Sequence, residues 1–455
     1  MSATARFSPV VEPDSSLDGQ PPRNGIDAAS ALSVHLVLLL VVPSNLTLAG
    51  MAAYGRPSLL WGLLLLLWWL LWRLQAQDAV PDRPTQPVRV AFLCLVVIVQ
   101  VSFAAALLRG QPFDQISPAI SALVRLASWA GVVLVAIDGL QSRAQIVVLV
   151  RRLVIIGGAL AALGLAQFAT GQTFLAWVSA LPGIQFDADD TVSARGTFSR
   201  SAGTAIHPLE YVTVLIGILP LAIACAVSRG FSGRRSRAGA IWWAPSGLIA
   251  LACFVSVSRS AIVGLAVAFL ASLPAMPRRV RWIALISGII GAGLVSVAVP
   301  GMFSTVVSLF AGASEDPSTQ SRTNALARLP EFMSSSPFLG AGFGTFLPRY
   351  YIFDNQWVML LVEIGILGTS AFAGLLITGL WSAHRASRLL STTEEVVLSR
   401  AVAASVIALG TAYSLFDALA FPMSAGLLFL VLGFCGAIRG IAIREARPAT
   451  HGAPP

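Results

Sequence analysis

Apolar and polar positions along this chain fall in long blocks, not at the short periods of soluble amphipathic helices or strands. Runs of about 20 mostly apolar residues, the length a helix needs to cross a hydrocarbon layer, centre on 31–50, 58–73, 88–108, 117–138, 153–170, 207–228, 241–257, 260–275, 282–300, 355–381, 398–416 and 420–438. The pattern predicts an all-α, polytopic membrane protein with about twelve transmembrane helices. Two polar intervals, 171–206 and 301–354, are far longer than connections require, and such loops are functional or disordered. The second lies between spans 9 and 10. Residues 1–28, rich in Pro, Ser, Gly and Asp, read as a disordered tail with no cleavable signal peptide. Residues 29–439 read as the transmembrane domain and 440–455 as a second tail.

Composition agrees: 56% of residues are apolar and only 11% charged, so the bilayer must serve as solvent for most of the chain. The formal charge of +9 is carried by arginine alone, since the sequence has no lysine. Those arginines collect between alternate apolar blocks, as in Arg73, Arg83 and Arg89, or Arg278, Arg279 and Arg281. That is topological bias, not a nucleic-acid surface, and it places both termini on the cytoplasmic side, with 171–206 and 301–354 outside. Cys94, Cys225, Cys253 and Cys435 lie inside apolar runs without metal-ligand spacing and read as small buried hydrophobes. The tryptophan-rich run Trp61 to Trp72 reads as an interfacial belt and packing surface.

A few arginines fall on the outside against the bias: Arg109, Arg195, Arg200, Arg259, Arg322 and Arg349. Arg109, Arg200 and Arg349 read as solvated surface residues. Arg259 sits in a tight turn between two apolar runs, where a charge is costly and is directed into the bundle toward an anionic partner. Planar arginine forks suit phosphate oxygens. Within 301–354, residues 321–333 have helical composition apart from Pro330, with Arg322 in the first turn. Gly340, Gly342 and Gly344 form a tight turn; their spacing and surroundings do not fit a dinucleotide loop. The Asp354-Asn355 pair then opens a span, where either residue can cap a helix and Asp354 can also serve as a base. Glu363 and Arg125 lie at similar depth in two spans and pair as a structural lock. Asp187-Ala188-Asp189-Asp190 imitates an Asp-x-Asp metal and nucleotide-sugar site, but it lies outside, whereas nucleotide sugars are cytoplasmic, so it reads as a solvated acidic loop.

Taken in order, Arg322, Pro337-Phe338-Leu339-Gly340-Ala341-Gly342-Phe343-Gly344, Asp354-Asn355-Gln356-Trp357 and Glu363-Ile364-Gly365 resemble the signature loop of the O-antigen ligase and polymerase superfamily of membrane glycosyltransferases. Arg195-Gly196-Thr197-Phe198 with His207-Pro208, and Ser258-Arg259, are similar to further stretches of that superfamily. The resemblance implies a GT-C-like fold and a donor glycan linked to a polyprenyl (undecaprenyl-type) diphosphate. The acceptor would be a glycan, lipid or protein at the outer face of the cytoplasmic membrane. It implies diphosphate binding by Arg195, Arg259 and Arg322, and catalytic roles for Asp354, Asp417 and His207, with His207 equally readable as a helix cap. No metal or cofactor is required if arginines neutralise the departing diphosphate. In the ligases a histidine stands where this chain has Asp354, so polymerisation is favoured over ligation. A twelve-span secondary transporter or flippase is the alternative; against it, residues 74–87 lack the basic Gly-Asp-Arg loop of major-facilitator proteins and the largest loops are outside.

Overall fold

The computed structural model describes residues 27–75, 85–186, 193–195, 198–232, 237–256, 258–298, 307 and 317–446. The expected terminal tail before Asp27, the tail beyond Ala446, the Asp187-Asp189-Asp190 cluster and 308–316 lie outside the described residues. The described chain is helical nearly throughout: α1 (Ala28–Leu40), α2 (Pro57–Gln75), α3 (Pro87–Leu108), α4 (Phe113–Gly139), α5 (Arg143–Thr170), α6 (Pro208–Val227), α7 (Trp243–Val255), α8 (Arg259–Ser272), α9 (Arg278–Ala298), α10 (Pro317–Met333), α11 (Gln356–Leu389), α12 (Thr393–Ala412) and α13 (Pro422–Ala446). Two short antiparallel pairs interrupt this pattern: β1 (Leu46–Leu48) with β2 (Ile184–Phe186), and β3 (Ser193–Arg195) with β4 (Phe198–Arg200).

Among the described residues, eight helices, α2 to α6 and α11 to α13, are long and apolar enough to cross a membrane. Three expected spans are apolar but shorter: Ala28–Leu40, Gly239–Val255 and Arg259–Ala275. The first stops at Leu40 because the chain turns before Pro43, whose fixed φ and missing N–H do not continue a helix. Beyond it Ser44 N–H bonds to Thr204 C=O at 2.8 Å and the chain enters β1. α5 begins at Arg143 instead of near 153, because Ser142 and Gln145 form a capping box. The last helix runs past 439 to Ala446.

α6 and α13 are buried along nearly their whole length and form the centre of the bundle. Small residues let their neighbours approach. A Cβ on Gly433 would lie 2.5 Å from Ala136 Cβ, and one on Gly131 would lie 2.1 Å from Gly62 C=O, so α13, α4 and α2 cross almost backbone to backbone. Trp61 and Trp69 do more than line a belt: their indole N–H groups donate to Ala31 C=O and Asp138 Oδ2, both at 2.9 Å, tying α2 to α1 and α4. Asp138 also meets Arg89 at 2.8 Å. All four cysteines are free, and Cys94 is exposed on α3, so the expectation that all are buried fails there.

The interval expected as a long loop is structured from Pro317 onward. α10 starts four residues before the predicted 321, which moves Arg322 into the second turn. The segment after it docks into α11, which is not continuous: Gly365 has φ 65° and ψ −168°. The break exposes backbone groups that hydrocarbon cannot satisfy, and residues 337–342 satisfy them. Ala341 and Gly342 N–H donate to Val362 and Glu363 C=O, each at 2.8 Å; Ile366 and Leu367 N–H donate to Pro337 and Phe338 C=O at 2.9 and 3.1 Å. The crossing requires glycine on both sides. A Cβ on Gly340 (φ 69°) would lie 2.4 Å from Glu363 C=O, and one on Gly365 would lie 2.3 Å from the Phe338 carbonyl. Arg109, expected as a solvated surface residue, is exposed and also donates through Nη2 to Gly340 C=O at 2.6 Å, which clamps the turn. Arg349, likewise expected on the surface, is exposed and ion-paired with Asp114.

Gly340→Ala and Gly365→Ala should each destabilise the fold by on the order of 3 kcal/mol, combining a left-handed backbone with a clash against main chain. Gly374→Ala, where an added Cβ meets nothing within 4 Å, should be neutral. Melting in detergent checks this; equal melting temperatures for all three would contradict the interlock.

Candidate functional site

The docked segment and the turn between α12 and α13 bring the chain's buried charges to one end of the bundle. Asn355 caps α11, its Oδ1 accepting from Trp357 and Val358 N–H at 2.9 and 3.4 Å. The cap is therefore Asn355 and not Asp354. Gln356, 3% exposed, stitches α11 to the turn: its N–H donates to Tyr413 and Phe416 C=O at 2.9 and 3.1 Å, and its Oε1 accepts from Leu419 N–H at 2.7 Å. These bonds set Asp354, just before the cap, close enough to Asp417 for their charges to interact.

Asp417 does not cap the short turn it precedes. Burial, and next the charge of Asp354, push its carboxyl from the usual 3.8 up to about 6. A carboxylate of this kind holds or releases a proton near neutral pH.

Glu363 is buried two turns into α11 and accepts from the Gly344 and Phe346 N–H groups of the docked segment. Arg125 of α4 and Asp417 lie within its electrostatic reach, and Arg56 in turn lies within reach of Arg125. Arg125 Nη1 donates to Ala420 C=O at 3.5 Å, while its Nε has no hydrogen-bond partner among the described residues. The two residues expected to lock together are thus neighbours in one charge cluster, each anchored to a different stretch of backbone.

A second buried carboxylate, which sequence reasoning missed, organises the opposite wall. Glu210 is 0% exposed and sits in the first turn of α6. Its Oε2 accepts from Ser44 Oγ and Ile206 N–H at 3.1 and 3.0 Å, and its Oε1 accepts from Met423 N–H at 2.7 Å at the start of α13. Arg56 is its cationic neighbour. The signal was present in the sequence: Glu210, like Glu363, is a carboxylate set in an apolar block, and such residues have specific partners. His207 is the N-cap of α6, its Nδ1 accepting from Leu209 N–H at 3.2 Å, with its ring 6.0 Å from Phe421 in the same turn.

The expected arginines are placed less uniformly. Arg259 is the first residue of α8 and half-buried. Since α8 and α11 run in the same direction, from this end of the bundle toward the ends at Ala275 and Leu389 that meet near one cleft, Arg259 belongs to the Asp354 end. Arg195 lies in β3, opposite Phe198. Arg322 lies in α10. Among the described residues no three His, Cys, Asp or Glu side chains are grouped to hold a metal ion.

Residues 244–373 match the family model described as O-antigen ligase. The match runs from α7 through Arg259, the docked glycine segment, Asp354 and the break at Gly365, and supports the O-antigen ligase and polymerase superfamily. No curated protein matches the chain.

The raised Asp417 carboxyl fixes a sign. Between pH 4 and about 6 the folded protein holds this proton while the unfolded chain has lost it, so Asp417 lowers stability as pH rises through that window, and the penalty is complete above about 6. Asp417→Asn should therefore raise the melting temperature relative to wild type at pH 7.5, with the gain shrinking toward pH 4. A gain independent of pH would show that the carboxyl is not perturbed.

Proposed function

We propose that this chain, of which residues 244–373 match the O-antigen ligase family model, transfers or polymerises a polyprenyl-diphosphate-linked glycan at the outer face of the cytoplasmic membrane during surface polysaccharide assembly. The observation that carries the reading is the family match spanning the glycine segment and Asp354, together with the pairing of Asp354 and Asp417 at the end of the bundle where α8 presents Arg259. In this reading the bundle has the twelve-span, GT-C-like layout with both termini in the cytoplasm.

Arg259, with Arg195 and Arg322, neutralises the diphosphate as the glycosidic bond to it breaks. Asp354 and Asp417 orient and deprotonate the acceptor hydroxyl, which attacks the anomeric carbon directly and inverts it. The diphosphate is the leaving group, so the step balances without a metal. His207, while capping α6, lines the acceptor side. Arg125 and Glu363 are a structural pair. Asp354 in place of the ligases' histidine favours a glycan acceptor, and so polymerisation.

One observation is shared with the transporter reading: a broken helix with charges beside it. Here, however, four of the backbone groups exposed by the break are bonded to residues 337–342, where a transporter would leave them to coordinate a solute.

Purified protein in lipid with a diphosphate-linked oligosaccharide should release free lipid diphosphate and build a glycan ladder. Arg259→Ala and Asp354→Asn should each lose on the order of 100-fold or more in rate. Release only on adding a second, non-glycan acceptor would mean ligation. A carrier left intact under every acceptor condition while a solute crosses the membrane would replace the enzyme with a transporter.

A further inference from the structure

The end of the bundle away from Asp354 holds a cleft of about 710 Å³ between the last residues of α6, the turn after α8, the start of α9 and the start of α12. Its rim carries Arg229, Arg278, Arg281 and Arg400. Among the described residues the rim's one carboxylate, Glu394, is already bridged to Arg143 at 3.2 Å, so the cleft is left strongly positive. Its floor is apolar, formed by half-buried Val227 and Val396 and exposed Pro274 and Pro277, with Met276 and Val397 buried beneath them.

Several features hold the arginines at this rim. Arg281 Nε donates to Met276 C=O at 2.9 Å and Arg400 Nη1 to Pro274 C=O at 2.8 Å, which joins α9 and α12 to the same turn. Arg229 has φ 49°, a left-handed conformation that costs a non-glycine residue energy, and it is held there by the tight turn through Gly230 that ends α6. α9 begins at the cleft with no acidic residue in its first turn, so its N-terminus adds partial positive charge to that of the guanidinium groups, whereas the N-terminus of α12 is capped by Thr392 and Glu395. Topological bias accounts for arginine at a membrane face, but not for four of them converging on one cavity with an apolar floor. That combination fits a ligand with an anionic phosphate head and an apolar body.

We propose that this cleft seats an anionic phospholipid, its phosphate among Arg229, Arg278, Arg281 and Arg400 and its acyl chains against Val227, Pro277 and Val396. The site is separate from the proposed glycosyl-transfer site and does not depend on it.

Native mass spectrometry of the full chain in detergent, titrated with cardiolipin, phosphatidylglycerol or phosphatidylcholine, tests this. Wild type should retain the two anionic lipids over phosphatidylcholine, and Arg278→Gln with Arg400→Gln should weaken their binding roughly fivefold for each arginine removed. Arg73→Gln with Arg385→Gln, exposed arginines outside the cleft, should leave it unchanged. Equal losses in both double variants, or equal retention of phosphatidylcholine, would overturn the site. So would complete displacement of the lipid by millimolar inorganic phosphate, which would mark a soluble-anion site. Because Arg400 also braces a turn, a photoactivatable phosphatidylglycerol on wild type gives a reading independent of folding. Cross-links should map to 274–281 and 391–400, and cross-links only elsewhere would refute the proposal.

Discussion

An α-helix broken within a membrane-embedded bundle must find partners for its freed backbone groups, because hydrocarbon supplies none. At Gly365 those partners are the main-chain atoms of 337–342, in four hydrogen bonds that run both ways across the break. Much of the candidate site follows from this contact. It carries Gly344 and Phe346 N–H onto Glu363, and it brings the aromatic segment that follows against α11, where Phe353 and Val358 pack with Phe332 and Phe346. The chain that emerges from this cluster is Asp354, delivered to the α12–α13 turn. Arg109 and Ser102 of α3 clamp the docked turn from behind through Gly340 and Leu339 C=O.

Around that contact the bundle arranges charge by backbone anchoring more than by direct ion pairing. Glu363, Glu210 and Gln356 each accept from main-chain N–H groups of a different segment, so each buried polar side chain serves as a tie between elements. Carboxylates held by N–H donors need no arginine at contact distance. Arg125 and Arg56 are charged neighbours of these acidic groups.

Much of this architecture is legible in the sequence, because block hydrophobicity sets helix positions regardless of tertiary detail. Each of the twelve apolar segments contains a helix, though among the described residues only eight helices are long and apolar enough to cross a membrane. Their lengths are less legible: nothing in the apolar composition of 31–50 distinguishes a full span from a helix that ends at Leu40 and a strand that pairs with β2. The three glycines read as a tight turn, and all have positive φ. What the turn inserts into was not readable, since Gly365 lies in a run whose composition is that of an unbroken helix. Asp354 and Asn355 were interchangeable as caps on paper; the structure assigns that role to Asn355 and leaves Asp354 within electrostatic reach of Asp417. Arg109 is at the surface as its sequence position suggests, but its bond to the Gly340 carbonyl is one that no charge pattern reveals.

The most direct test of the central contact is amide hydrogen exchange of the 337–346 segment in lipid nanodiscs. If the segment is docked across the Gly365 break, its amides should exchange as slowly as those of α11 and far more slowly than those of α10. Exchange at the rate of an exposed loop would show that the break is closed in some other way, and the site built upon it would lose its foundation.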